Sequence, residues 1–528
     1  MSAGGLAVAN LGAVLGIQWR TGWKTLLAWV GSVVGLMAVT VASLRPTYDT
    51  PEKVAAYARS LGAGPAIEML NGQVAGLDSF GGIIANEFGF IASFLLPLMG
   101  VALVVRATRR EEESGRLELL LAAAIGRHAP LVAALIVMSG AAVVTGLGCW
   151  VALAALDVEV WGAAAYSAGL ASLVLVFGAW TAVAAQLFEN TRGVWMAGLV
   201  LALASYLVRG IGSVNDAWYR NLAPHGLFDS IEAFASPRWW PLLLLVAQAG
   251  LAAGLALWLN ARRDLGGALV PPRPGPPRAS ATLRHRWGLA AAEHAGATLG
   301  WVLACGAVMA MFGSLAQQVI DALRANPDLT QYVAAALDEV LAMFVQMASM
   351  LAAAAGLALA GSLRSTETAG RLELLLAGPE SRPRWLARHL VLMAVGVAVV
   401  LGAGALVLAG SASASLGNTD EFWPVLRAGA AQLPVVLAFL AVAVAVFAWA
   451  PRWRGLVWAG YGVAVFIAYM GKALDLPDWL VDNSPFLLVG RAPATGVDWA
   501  GVGILVGLTV ASAAAALWGM RRRDVPAL

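Results

Sequence analysis

Twelve long apolar runs dominate this chain, at 26–44, 88–105, 131–156, 163–187, 194–211 and 241–258, then 299–320, 340–363, 390–416, 425–450, 456–470 and 502–518. A helix needs about 20 mostly apolar residues to cross the hydrocarbon layer of a bilayer, and only helices and closed barrels satisfy their backbone hydrogen bonds there. The pattern predicts an all-α polytopic membrane protein with about 12 transmembrane helices. Composition agrees: 60% of residues are hydrophobic and only 12% charged, against roughly 25% charged in soluble domains. The N-terminus lacks the basic region, short apolar core and small-residue cleavage site of a signal peptide, so the first run is expected to remain as a membrane helix.

The net charge of +3 does not mark a nucleic-acid surface, because the basic residues collect in short loops between apolar runs, where they act as an orientation signal. Arg106, Arg109, Arg110, Arg116 and Arg127 share one loop, and Arg364, Arg371, Arg382, Arg384 and Arg388 share another. Alternate loops carry acids, among them Asp157, Glu159, Asp321, Asp328, Asp420, Glu421, Asp475, Asp478 and Asp482. The reading is N-in/C-in. Cys149 and Cys305 sit alone in separate apolar runs, which offers neither a disulfide framework nor a metal-ligand spacing.

The chain is also duplicated. Gly115-Arg-Leu-Glu-Leu-Leu-Leu-Ala122 recurs letter for letter as Gly370-Arg-Leu-Glu-Leu-Leu-Leu-Ala377, 255 positions later. Trp258 to Asp264 and Trp518 to Asp524 are matching basic ends, and Arg192-Gly193 and Arg454-Gly455 open corresponding runs. The division is a first six-helix half at 1–265, a proline-rich linker at 266–282 and a second half at 283–528. An even number of spans in each half makes the repeat parallel, an arrangement that can enclose a pathway. The segments 221–237 and 483–493 read either as re-entrant pieces or as capped surface loops. Residues 11–24 and 283–294, with Trp19, Trp23 and Trp287, read as amphipathic helices in the interface.

Around each octamer, Glu112 and Arg116, like Glu367 and Arg371, are spaced four apart with the acid first, which suits a helical ion pair. Leu117, Leu120 and Leu121 share one helical face, as do Leu372, Leu375 and Leu376. Such a helix can lie among lipid headgroups or dock on a protein. An identical copy favours docking on a partner with two equivalent sites.

With this Glu-x-x-Gly-Arg-Leu-Glu-Leu-Leu-Leu motif between second and third spans, the chain resembles type-2 (ABC-2, type V exporter-like) permeases. It is most similar to the duplicated twelve-span bacterial permeases of polyketide or tetronasin-type antibiotic export. The resemblance extends over nearly the full length, including Arg238 to Leu245, Arg262 to Leu269 and the proline linker. It implies a location in the bacterial cytoplasmic membrane and two copies of a separate ATPase subunit that carries the ATP and Mg. It also implies coupling contacts at Glu112, Gly115, Arg116, Leu117 and Glu118 and at Glu367, Gly370, Arg371, Leu372 and Glu373. The flanks differ, with Glu111 and Glu113 against Thr366 and Thr368, which leaves open whether the two contacts are equal.

Further implied by the resemblance, the second and fifth helices of each half line a cavity for a hydrophobic drug, polyketide-like or lipid-like cargo. Candidates there are Phe90, Phe94, Met99, Trp195, Phe344, Met347, Trp458 and Tyr461, large adaptable side chains that repack around varied ligands. Glu87, Asp338 and Glu339, at outer helix ends, are gate candidates, since ionisable groups near the apolar zone must face water or a partner. The chain has no Gly-x-x-x-x-Gly-Lys-Ser/Thr phosphate loop (Gly471-Lys472 is followed by Ala) and no His-Glu-x-x-His helix. No catalytic residue, bound cofactor or metal is therefore expected. A proton-coupled major-facilitator transporter shares the topology but would carry a basic Gly-x-x-x-Asp-Arg-x-Gly-Arg-Arg pattern after its second span. A membrane-embedded transferase would need convergent acids or histidines, and the sequence shows neither.

Overall fold

The computed structural model describes residues 7–60, 68–69, 71–264, 266–270, 277–278, 280–317, 320, 333–368, 370–471 and 476–523. Part of the proline-rich stretch, together with Asp321, Asp328, Lys472, Asp475 and Asp524, lies outside the described residues. The described chain is all-helical and divides into two compact units, Met1–Gly275 and Pro276–Leu528.

The first unit contains α1 (Leu11–Leu44), α2 (Pro51–Ser60), α3 (Phe80–Ala107), α4 (Arg109–Glu113), α5 (Arg116–Leu121), α6 (Ala129–Ala155), α7 (Val160–Leu187), α8 (Thr191–Val214), α9 (Pro224–Asp229) and α10 (Trp240–Arg262). α7 is its central post, packed against α3, α6, α8 and α10. Small residues permit that closeness: a Cβ on Gly100 of α3 would stand 2.6 Å from the Val174 carbonyl oxygen and 2.8 Å from the Gly178 nitrogen of α7. Membrane helices associate through such contacts rather than through hydrophobic transfer. Gly100→Val is therefore expected to destabilise the unit by ~1–3 kcal/mol, seen as a lowered melting temperature in detergent; an unchanged melt would refute this packing.

The second unit contains α11 (Arg286–Ser314), α12 (Val333–Thr368), α13 (Arg371–Leu376), α14 (Arg382–Leu416), α15 (Phe422–Ala431), α16 (Leu433–Trp449), α17 (Arg454–Met470), α18 (Asp478–Asp482) and α19 (Trp499–Arg522). α11 lies along α14, and α16 is held between α12 and α19.

Eleven helices among the described residues are long and apolar enough to cross a membrane, one fewer than the apolar runs predict. The remaining run, 456–470, forms the 17-residue α17, which lies at the short end of the length that can cross the hydrocarbon layer. The expected interfacial helices are not separate elements either. Residues 11–24 continue into α1, and 286–294 into α11, because no proline interrupts either stretch. Trp19, Trp23 and Trp287 on these extensions are exposed, which suits an aromatic belt.

The segments 221–237 and 483–493 both pack into their own units. In the first unit Pro224, His225, Gly226, Leu227 and Phe228 are all buried. His225 Nε2 lies 2.9 Å from the carbonyl oxygen of Ser93, midway along α3, and Nδ1 lies 2.7 Å from Ser205 Oγ. In the second unit Phe486 is fully buried, its carbonyl accepting a 3.2 Å hydrogen bond from Gln346 Nε2. His225 and Phe486 are thus surrounded by protein of their own unit, the condition under which irregular backbone is tolerated away from water.

Candidate functional site

Each octamer helix starts at a left-handed glycine. Gly115 has φ 71° ahead of α5 and Gly370 φ 69° ahead of α13, a conformation that costs other residues ~1–2 kcal/mol. The break corrects the expected helical pairing of Glu112 with Arg116 and of Glu367 with Arg371. Arg116 instead meets Glu111, with both Nε–Oε2 and Nη2–Oε1 at 2.7 Å. This hydrogen-bonded carboxylate raises the Arg116 pKa.

Glu112 turns inward to the centre of a buried constellation. Its carboxylate accepts two hydrogen bonds from Arg263, at 2.7 and 2.9 Å, and one from the Gly266 N–H at 2.8 Å, while Arg109 stands 3.2 Å away. Both arginines also grip the end of α7, where Arg263 Nε donates to Gln186 Oε1 at 2.7 Å and Arg109 Nε to the Ala185 carbonyl at 2.6 Å. Arg127, ahead of α6, donates to the carbonyls of Asn260 and Arg263. One carboxylate thus ties the end of α3 to the ends of α7 and α10, and the start of α6 is latched to the same corner.

The second unit repeats the arrangement. Glu367 is held by Arg364 at 2.9 Å and by Arg523. Arg523 Nη1 donates to the Phe447 carbonyl at 3.0 Å, and Arg382 Nη1 to the Arg523 carbonyl at 2.7 Å. The arginine before each clamp residue stacks on a tryptophan, Arg262 on Trp258 at 3.7 Å and Arg522 on Trp518 at 4.0 Å. Arg109, Arg127, Arg263, Arg364, Arg382 and Arg523 were legible only as orientation charges. The signal for their role was the basic run that closes each half.

The surface that remains for a partner differs from the expected one. Glu112, Leu117, Glu367 and Leu372 are buried, whereas Arg116, Glu118, Arg371 and Glu373 are exposed. Leu119 and Leu374 stand out at 76% and 79% exposure. The duplicate faces are not equally charged: with Thr366 in place of Glu111, Arg371 makes no ion pair among the described residues. Glu113 accepts hydrogen bonds from the Thr191 N–H and hydroxyl, whereas Thr368 donates to the carbonyls of Arg364 and Ser365 on its own helix.

Residues 283–521 match the family model described as the multidrug efflux system permease Rv1217c, C-terminal domain. The chain is also 32% identical, over 512 residues, to the multidrug efflux system permease protein Rv1217c of Mycobacterium tuberculosis, covering 95% of this chain and 92% of that relative. The chain belongs to the Rv1217c permease family. It is a multi-pass protein of the bacterial inner membrane.

Within this Rv1217c-type permease the cavity candidates separate by environment. Met99 is fully buried beside Thr145, and Phe344 is buried in a stack on Phe312 with centroids 4.6 Å apart, so both are taken up by packing inside their own units. Phe94 is exposed and contacts Phe90 and Tyr206, at 5.5 and 4.7 Å between centroids. Trp195 packs on the cluster around Val101 and Val105, and Met347 is half-buried. Trp458 lines a cavity of about 530 Å³ with Leu357, Phe447, Val457, Arg452 and Arg454. Tyr461, beside it, donates to the Met350 carbonyl at 3.0 Å.

The gate candidates have partners. Glu87 is exposed and accepts a 2.6 Å hydrogen bond from the Tyr57 hydroxyl, which burial and then this carboxylate hold above the usual phenol range. Glu339 pairs with Arg491 at 2.7 Å, and Asp338, its neighbour, is half-buried. Two histidines 95 positions apart also meet: His294 and His389 are buried with Nε2 and Nδ1 2.9 Å apart. Among the described residues no three His, Cys, Asp or Glu side chains converge as metal ligands do.

Proposed function

We propose that this chain is the transmembrane permease of an ATP-binding cassette exporter of the ABC-2 type, which moves hydrophobic drugs, polyketide-like antibiotics or lipid-like compounds outward by alternating access. Its halves, 1–265 and 283–528, are parallel repeats joined by the linker 266–282, with both termini in the cytoplasm. Two copies of a separate ATPase subunit, carrying the ATP and Mg, dock on α5 and α13. The observation that carries this reading is the duplicated lever: an exposed Arg-x-Glu-Leu surface stands, twice, on a base that a buried carboxylate ties to other long helices of the same unit. The family relationship to a protein named as a multidrug efflux system permease supports the drug-export part.

Inverted vesicles containing the permease and its ATPase are expected to accumulate a hydrophobic dye when given ATP, undiminished by an uncoupler. Accumulation driven by a proton gradient without ATP would overturn the proposal. On this reading Phe94, Trp458 and Tyr461 are expected to touch cargo. As gates, Glu87 and Glu339 are expected to act together: Glu87→Gln with Glu339→Gln should alter dye export several-fold while ATPase binding stays at the wild-type level. Unchanged export would remove them from the mechanism.

A further inference from the structure

On the octamer side of the first unit, α1, α3, α5 and α6 enclose a cavity of about 570 Å³, within the size range of small-molecule sites. Its two ends differ in chemistry. The floor is apolar, built from Leu26, Leu103, Val137 and Met138; Met138 is the tenth residue of α6, roughly 15 Å along that helix from its start. The mouth holds Arg106, Arg110 and Arg116 with one acid, Glu111. Glu111 is spent on Arg116, and neither Arg106 nor Arg110 makes an ion pair among the described residues. Arg106 donates to the Thr21 carbonyl, which fixes its guanidinium against α1. Two guanidinium groups, neither held in an ion pair among the described residues, therefore share a cavity with an apolar slot.

We propose that this cavity is a binding site for an anionic phospholipid of the adjacent leaflet, with the phosphate between Arg106 and Arg110 and the start of an acyl chain on the Leu26–Met138 floor. Guanidinium groups match phosphate geometry, and an acyl chain supplies what the floor requires. The second half does not repeat these residues. At the positions 255 residues later, Arg106 is replaced by Gly361, Arg110 by Ser365 and Leu103 by Ala358. Because α5 forms one wall, an occupied site braces the first octamer helix and leaves the second without such a brace. The inference goes beyond the exporter reading and does not need an ATPase to be tested.

The test uses the purified full-length chain in mixed micelles carrying phosphatidylglycerol or phosphatidylcholine at equal mole fraction, with bound lipid counted by native mass spectrometry. The wild type is expected to retain one phosphatidylglycerol in preference to phosphatidylcholine. Arg106→Ala with Arg110→Ala should weaken it roughly thirtyfold, as expected for two basic side chains. Arg284→Ala with Arg384→Ala, which removes two exposed charges elsewhere, should leave it unchanged. Val137→Trp fills the floor, keeps every arginine and should also expel the lipid, which decides the matter if the arginine variant does not fold. Equal retention of both lipids, equal loss in the control variant, or displacement of the lipid by millimolar inorganic phosphate with Val137→Trp without effect would each overturn the proposal.

Discussion

Glu112→Ala is expected to lower the stability of the first unit by about 3–5 kcal/mol, the cost of leaving buried charge without its partner. Removing the carboxylate leaves Arg109 and Arg263, both nearly inaccessible to solvent, facing one another with no anion between them. It also removes the acceptor of the Gly266 N–H. Arg263→Ala is expected to be similarly severe, because it exposes the same ion pair from the other side and releases Gln186. The double variant should cost clearly less than the sum of the two, since residues that share one network do not contribute additively. Thermal unfolding in detergent with a double-mutant cycle measures this, and additive losses would show that Glu112 and Arg263 do not act as a unit. Glu367→Ala, centred on Arg364 and Arg523, is expected to behave alike.

These clamps mark the boundary of what the sequence makes legible. Apolar runs name helices because crossing lipid imposes a length and a composition that no other element meets, so the spans and the duplicated octamer can be read directly. Hydropathy registers only the part of a helix immersed in lipid, which is why the sequence suggests two pieces where α1 is one continuous helix. Local spacing also suggested the wrong partner for Glu112. The four-residue rule assumes unbroken helix, and Gly115 interrupts it. The true partner, Arg263, is 151 positions away, and only the fold brings α10 back to the end of α4. Burial is equally invisible to hydropathy: Met99 and Phe344 are large adaptable side chains, and both are buried, beside Thr145 and Phe312 respectively.

If α5 and α13 are the docking levers, their unequal surroundings predict unequal contributions. Arg116 already has a bidentate carboxylate partner in Glu111, whereas Arg371 has none among the described residues. A partner must compete with Glu111 for the first arginine and meets no competitor at the second. Arg371→Ala is therefore expected to weaken binding of the ATPase subunit about tenfold, the scale of one lost charge-assisted hydrogen bond. Arg116→Ala should cost less. Glu111→Thr, which gives the first half the second half's residue, should free Arg116 and make Arg116→Ala as damaging in that background as Arg371→Ala. The combined reversal Arg116→Glu with Arg371→Glu should abolish drug-stimulated ATP hydrolysis while the permease still folds, because both side chains are exposed and lie outside the buried clamps. Surface plasmon resonance on the detergent-solubilised permease, together with the hydrolysis assay, separates binding from coupling. Equal losses at the two arginines would mean that the partner reads only the identical octamers, and normal hydrolysis in the double reversal would remove the octamers from the coupling path altogether.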